Sequence, residues 1–543
     1  MKESSAKLVA ECMKHEIKRS MANLKSKGHP RPYYVSYLLR EDSSYSVWGR
    51  YGALFSERKD KKRQCFADVR VGSYSYDHTL KGGLTDNSDE AESYELIEMP
   101  VEDSKDALMF SLWRLTDARY REAVKSYHTR KARDVSYLDS NKKLPSFLAA
   151  KPAKSYLKTK TFQVDEAKYR RLIKNASQVF KKYPEIKNSY VEFHASLETK
   201  VFVSSEGIER LFQSANYQLV VYMWFLNKKC NEDFTLNYHV ADQKELPTLS
   251  QVKKDIEKKI ETLYDLQKGD QLTSYAGPVL LCAKPAGLFI HEVVGHRLEG
   301  SRLLSDDEGR TFKDKIGQKV MHEGITIYDN PTLTKFEGRS LVGAYPFDDE
   351  GTKSKKTLLI EKGVLRSFLT TRSPIKARNH QSNGHARNQS YERPISRMGN
   401  MIIQTENGLS FADLKKALIE KIKEQNLDFG VILYEVEGGE TGTEAYDFQA
   451  FLGEITRAVK VFADGREKPI KGVDFVGTPL SSLKNIIAVG KDLELDNAYC
   501  GAESGTVPVS TISPPLLLSN LELQAKDPAK VTQYKLPLPW VEG

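Results

Sequence analysis

Residues His291, Glu292 and His296, in the run AGLFIHEVVGHRLEG at Ala286–Gly300, are the ones whose types and spacing could do chemistry. Two imidazoles and a carboxylate so close together suggest a metal ion held by the histidines, with the glutamate as general base toward water. In the common H-E-x-x-H arrangement the histidines lie four apart, on one helix face. Here they lie five apart. Five residues of regular helix turn the direction by about 140°, which parts the two rings. Sharing one ion therefore requires a π-type bulge or a break before the second histidine. Gly295, directly before His296, is expected to supply the backbone freedom. Chance is the competing explanation, because Lys14-His15-Glu16 and Met321-His322-Glu323 show the same pair with no second histidine at a useful distance.

A catalytic zinc site normally has three protein ligands and one open position. Near the C-terminus, DNAYCGAESGTVPVS at Asp496–Ser510 offers Cys500, followed by a glycine that could present the sulfur in a tight turn. A metal would deprotonate that thiol. Taken alone, Cys500 reads first as a buried structural cysteine, the usual fate of a free thiol, and second as a ligand. The other cysteines, Cys12, Cys65, Cys230 and Cys282, are scattered and the total is odd, which fits no disulfide framework and suits a reducing compartment.

The elements that must position these residues fall in two halves. A chain of 543 residues exceeds what one core usually serves. An amphipathic helix is expected within the first thirty residues, then strands at Pro32–Leu39, Cys65–Val71, Tyr190–Val203 and Asn216–Leu226, and helices at Ala107–Ala123 and Ser250–Gln267. From Gly277 the segments become short, β-branched and glycine-punctuated, with hairpin turns at Lys362-Gly363 and Asp464-Gly465. The expected fold class is α+β: an N-terminal α+β domain over 1–272, with a possible insertion at 125–160, then a predominantly antiparallel β domain over 273–543 carrying the metal-motif helix. The basic stretch Lys125–Lys160, rich in Ser, Ala and Pro, reads as a solvated connector.

Composition narrows the function classes. Hydrophobic residues at 40% and charged residues at 29% are ordinary for a globular protein. No apolar run approaches the roughly 20 residues that span a bilayer, and the N-terminus lacks a signal-peptide core, so a cytoplasmic location is expected. The net charge of +9 is a modest excess of 82 basic over 73 acidic residues. With no recognition motif beside it, nucleic-acid binding is disfavoured.

Five segments in order resemble the TldD/PmbA family of metallopeptidases: IHEVVGHRLEG, FDDEGTKSKKTLLIEKGVLRSFLTTRSPIKARN, NGHARNQSYERPISRMGNM, EGGETGTEAYDFQAFLGEITRAVKVFADGREKPIKGVDFVG and CGAESGTVPVSTISPPLLLSNLELQ. The resemblance covers the second half. It implies His291, His296 and Cys500 as ligands of Zn2+, Glu292 as the base, and a dimer of identical chains or one with a metal-free relative. His385 and Arg387, in the third segment, become candidates for holding substrate or stabilising the oxyanion, although such residues in glycine-containing loops are often plain surface groups. Glu299 reads first as a solvated helix-end residue and second as a partner of a ligand histidine. The substrate class implied is extended or unfolded peptide, bound by strand addition. A non-catalytic partner-binding subunit of the same family and a structural zinc site are the alternatives.

Overall fold

The computed structural model describes residues 1–543 except 26, 80–97, 137–143, 228–230, 306–307, 309–310, 377–379, 391, 445–448, 527–535, 537 and 540–543. Cys230, residues 137–143 of the expected connector and residues 445–448 therefore lie outside the described residues.

Four long antiparallel strands, Pro32–Arg50, Ala53–Val71, Ile186–Ser204 and Ile208–Leu226, form the body of the first half. They extend well past the short strands that the sequence pattern marks. Polar stretches such as Glu57–Arg63 still pair, because the register is set by the apolar ends of the hairpin. Along Ile186–Ser204 burial alternates residue by residue, as two-sided packing of a pleated strand demands. Helices Glu3–Asn23 and Lys105–Ser136 cover one end of the sheet over Val35, Tyr37 and Leu39. Helices Glu166–Ser177 and Leu249–Leu266 cover the other over Val47, Val191 and Phe193. The stretch 125–160 departs from the expected connector: residues 125–136 continue the Lys105–Ser136 helix, and Ala153–Tyr156 is a strand parallel to Ile208–Leu226. High lysine and arginine content is compatible with a helix, and only one side of this one meets the core.

The second half holds two large sheets and, among the described residues, two short two-stranded ones. In one large sheet, strand Ser274–Leu281 lies between Phe429–Thr441 and Leu516–Ala525, and the sheet closes on itself because Phe429–Thr441 also pairs with Phe451–Phe462. The other has six strands among the described residues, with Glu494–Ala502 at its edge, next to Gly505–Ser513. Both expected hairpins are present; Lys362 (φ 47°) and Gly363 (φ 76°) take the left-handed conformations that a two-residue turn requires. Asp270–Gln271, before the expected boundary, already pairs with Glu467–Lys471 of the second half. Charge joins the halves: Asp349 meets Lys200 at 2.8 Å and Arg40 at 3.1 Å, Arg372 meets Glu206 at 2.6 Å, and Arg393 meets Asp68 at 3.0 Å. Among the described residues, no helix is long and apolar enough to cross a membrane.

Candidate metal centre

The motif helix Ala283–Ile290 is wedged between the two large sheets of the second half, with Phe289 edge-on to Phe451 and Gly287 close to Thr511. Its continuation, His291–Gly295, is a wide turn: the amide of His296 donates to the carbonyl of His291, five residues back. The inserted residue that the spacing demanded is thus absorbed as a π turn, bringing both histidines to one side. The role expected for Gly295 needs correcting. Its φ of −53° and ψ of −60° are ordinary for any residue. Glycine is required because a Cβ there would stand 2.2 Å from Met398 Sδ.

Cys500 comes from the edge strand Glu494–Ala502, three residues before Glu503 of the Glu503-Ser504 turn, rather than from the turn itself. Its Sγ lies 3.4 Å from His296 Nε2. One donor atom each from His291, His296 and Cys500 falls within 4.8 Å of the others, and all three residues are buried. The imidazole rings stand at 87° with centroids 5.1 Å apart. Burial alone would raise the Cys500 thiol, but the two histidines hold it well below its usual range. Burial likewise opposes charge on His296, yet Cys500 and Glu299 lift it to about 10, and Cys500 raises His291. Cys500 and the two histidines thus favour each other's charge, the sulfur toward the thiolate that a metal binds. Two imidazoles and one thiolate, gathered in a dry site, are a donor set that fits zinc.

Glu292 is buried beside this cluster, its Oε2 4.0 Å from His296 Nε2. Room for it comes from Gly439 on the facing strand, where a Cβ would stand 3.2 Å from Glu292 Cγ. The turn is tied down by Arg297, which donates to the Glu292 carbonyl at 2.6 Å and to the carbonyls of Gly442 and Gln449 at 2.9 Å each.

Glu299 is fully buried, which reverses the solvated reading. Its Oε2 faces His296 Nδ1 at 3.3 Å and accepts from Arg302 Nε and Nη2 at 3.1 Å each. Burial opposes its charge, but His296, Arg302 and Arg397 hold its pKa to about 2. A carboxylate on the second nitrogen of a ligand histidine fixes the ring and its tautomer. Arg397, which the residue pattern did not single out, closes the arrangement. Its Nη2 donates to the Cys500 carbonyl at 2.6 Å and lies 3.2 Å from the sulfur, while Nε stands 3.3 Å from Glu299 Oε1. The available signal was the SRMGN run at Ser396–Asn400, within one of the five similar segments.

His385 and Arg387 are not brought to the cluster. His385 is fully buried, with Nδ1 2.8 Å from Asn383 Oδ1 and Nε2 3.1 Å from Asp329 Oδ1, so the expected oxyanion role is replaced by a framework one. Arg387 Nη1 donates to the carbonyl of Met398, the residue beneath Gly295.

A helix with a π turn, two histidines and an acid on it, and a distant cysteine completing the set form a candidate metal centre in an α+β protein. Comparison with known proteins agrees. Residues 274–525 match the PmbA/TldA metallopeptidase C-terminal domain. A metalloprotease of Archaeoglobus fulgidus is 35% identical over 242 residues, 44% of this chain and 51% of that protein. A zinc metalloprotease TldD homolog of Saccharolobus solfataricus is 26% identical over 362 residues, 66% of this chain and 76% of that protein. The chain spans about half the length of the first curated relatives, 51% and 47%. The crystal structure of TldE from Thermococcus kodakarensis shares the fold, with a TM-score of 0.61 at 14% identity, covering 95% of this chain and all of that one. Residues 274–525 thus carry a domain of the PmbA/TldA type, and the chain is similar to curated TldD homologues.

Proposed function

We propose that this protein hydrolyses peptide bonds of extended or unfolded peptides, with a zinc ion held by His291, His296 and Cys500. The observation that carries the reading is the convergence of those three donors with Glu292 buried alongside. Bound zinc supplies a Lewis acid that polarises a carbonyl and acidifies water. Glu292 takes the proton from the attacking water and returns it to the leaving amine. Glu299 holds His296 by its Nδ1, and Arg397 holds the strand that carries Cys500. Burial of the cluster excludes bulk water and strengthens each of these interactions.

Cys500 lies on the edge strand of its sheet, and a Cβ added at Gly501 would meet open space. An extended peptide laid along that edge would gain main-chain hydrogen bonds whatever its sequence. The working unit under this reading is a dimer, with an identical chain or a metal-free relative.

The deciding experiment is Glu292→Gln in the full chain, assayed on an unstructured peptide alongside metal analysis. Zinc content stays at the wild-type level while hydrolysis falls by about 10²–10⁴. Hydrolysis that survives at the wild-type rate removes Glu292 from the reaction.

A further inference from the structure

Between the two halves lies a cavity of about 120 Å³, walled by Arg40, Lys200 and Phe212 of the long-stranded sheet and by Phe347, Arg387 and Val507 of the second half. Exposed Ser214 and Gln389 line it toward solvent. The acids in its wall are already engaged. Asp349 accepts Lys200 Nζ at 2.8 Å on Oδ1, and the Asn388 amide at 3.0 Å on Oδ2, which also pairs with Arg40 Nη2 at 3.1 Å. Asp348 accepts the amides of Glu350 and Thr352 on Oδ1 and that of Ala386 on Oδ2. Glu198 lies 3.3 Å from Arg40 Nε and 3.5 Å from Lys200 Nζ.

Donors, by contrast, are left over. Arg40 is 4% exposed, and its Nη1 is buried with no hydrogen-bond partner among the described residues. Arg387 is 7% exposed; its Nη1 donates to a carbonyl, and its guanidinium lies 4.8 Å from the Tyr345 ring centroid. No carboxylate among the described residues reaches it within ion-pairing distance. A desolvated guanidinium without an anion is costly, and an anion entering the cavity would supply the missing acceptor.

We propose that this cavity is a carboxylate-binding site in which Arg387 and Arg40 Nη1 grip one carboxylate group. The size suits it, since a cavity of about 150 Å³ holds a benzene-sized molecule and this one is slightly smaller. Planar guanidinium donors match the two oxygens of a carboxylate. Val507, in the wall, pairs directly with Cys500 on the neighbouring strand, so the cavity shares a rung of the ladder with a metal ligand. That placement favours the C-terminal carboxylate of a bound peptide over a free carboxylate ion, a choice that rests on the peptidase reading above.

The test has two arms, both on the zinc-loaded full chain. The first follows thermal unfolding in sodium acetate and in sodium chloride at equal ionic strength. Acetate raises Tm above chloride in the wild type, and the gain disappears in Arg387→Gln. It also disappears in Ser214→Trp, which closes the mouth from an exposed position and leaves both arginines intact. An acetate gain that is absent from the wild type, or equal in all three proteins, overturns the site. This arm needs no hydrolysis, so it reads the site even if the peptidase reading fails. The second arm compares two peptides differing only in a C-terminal carboxylate or carboxamide. In Arg387→Gln the wild type's KM preference for the carboxylate peptide over the amide falls about tenfold, whatever loss the two peptides share. Equal KM values for both peptides in every protein overturn the assignment to substrate and leave the site to free carboxylates.

Discussion

Met398 Sδ lies 2.2 Å from the point a side-chain carbon on Gly295 would occupy, so the π turn and the segment that follows Arg397 are in steric register. Met398 is itself buried, its carbonyl holds Arg387, and its neighbour Arg397 holds Cys500. Gly295→Ala must therefore displace a residue on which much of the site leans. The expected cost is about 1–3 kcal/mol, the usual range for an overpacked core. Zinc occupancy falls with it. Urea unfolding and metal analysis check both, and Gly295→Ala combined with Met398→Ala recovers part of the zinc. A double variant no better than the single one would put the cause elsewhere.

Glu299 and its arginines give a sharper test of the site's supports. Glu299 is flanked by Arg302 and Arg397 inside the protein. Glu299→Gln keeps the shape but takes the paired carboxylate from buried Arg397, while Arg302 keeps Glu308 and Glu503. Removing one partner of a buried charged set costs about 3–5 kcal/mol. Loss of a carboxylate behind a ligand histidine weakens metal binding by about 10–100-fold. Competition with a chelator of known affinity measures the second effect. Wild-type zinc affinity in this variant would reduce Glu299 to a purely structural charge.

What the sequence revealed and what it hid divide along physical lines. A π turn or a break was legible because five residues of regular helix cannot align His291 and His296, whatever surrounds them. The lysine–glycine and aspartate–glycine hairpins were legible because their turn chemistry is local. The burial of Glu299 was not, since it depends on Arg302, three residues on, and Arg397, almost a hundred residues away. The same holds for His385, whose partner Asp329 comes from another strand. Polar Glu57–Arg63 was missed as strand because tertiary pairing, not propensity, holds it. In these three cases the residue is charged or polar, and the chain assembles its environment from afar.

Cys500 is separated from the other thiols by its surroundings. Cys282 is half-buried, and desolvation pushes it up to about 12, whereas the two histidines pull Cys500 down. Cys500→Ser should leave the protein with little zinc after dialysis against a mild chelator, and Cys282→Ser should retain it at the wild-type level. Metal analysis of the two variants decides it. Undiminished zinc in Cys500→Ser removes the sulfur from the ligand set.

The last prediction concerns pH and the seam between the halves. His239 is 4% exposed, stacked on Tyr499 at 4.9 Å, with its carbonyl accepting from Asn497 Nδ2 at 2.8 Å. Burial pushes its pKa down to about 4. In the unfolded chain a histidine titrates near 6.5, so between those values the unfolded state binds the extra proton. Stability from this group is thus complete above pH 6.5 or so and is lost as pH falls toward 4, by up to about 3 kcal/mol. His78, also buried and pushed down to about 4, acts in the same direction, while Asp42, pushed up to about 6 by burial, acts in the opposite one. The informative quantity is therefore the difference between wild type and His239→Gln in urea midpoints measured at pH 4.5, 5.5, 6.5 and 7.5. The variant starts lower at pH 7.5, having lost the ring stack, and then declines less steeply on acidification. Parallel declines for the two proteins would show that His239 carries no proton-linked share of the stability.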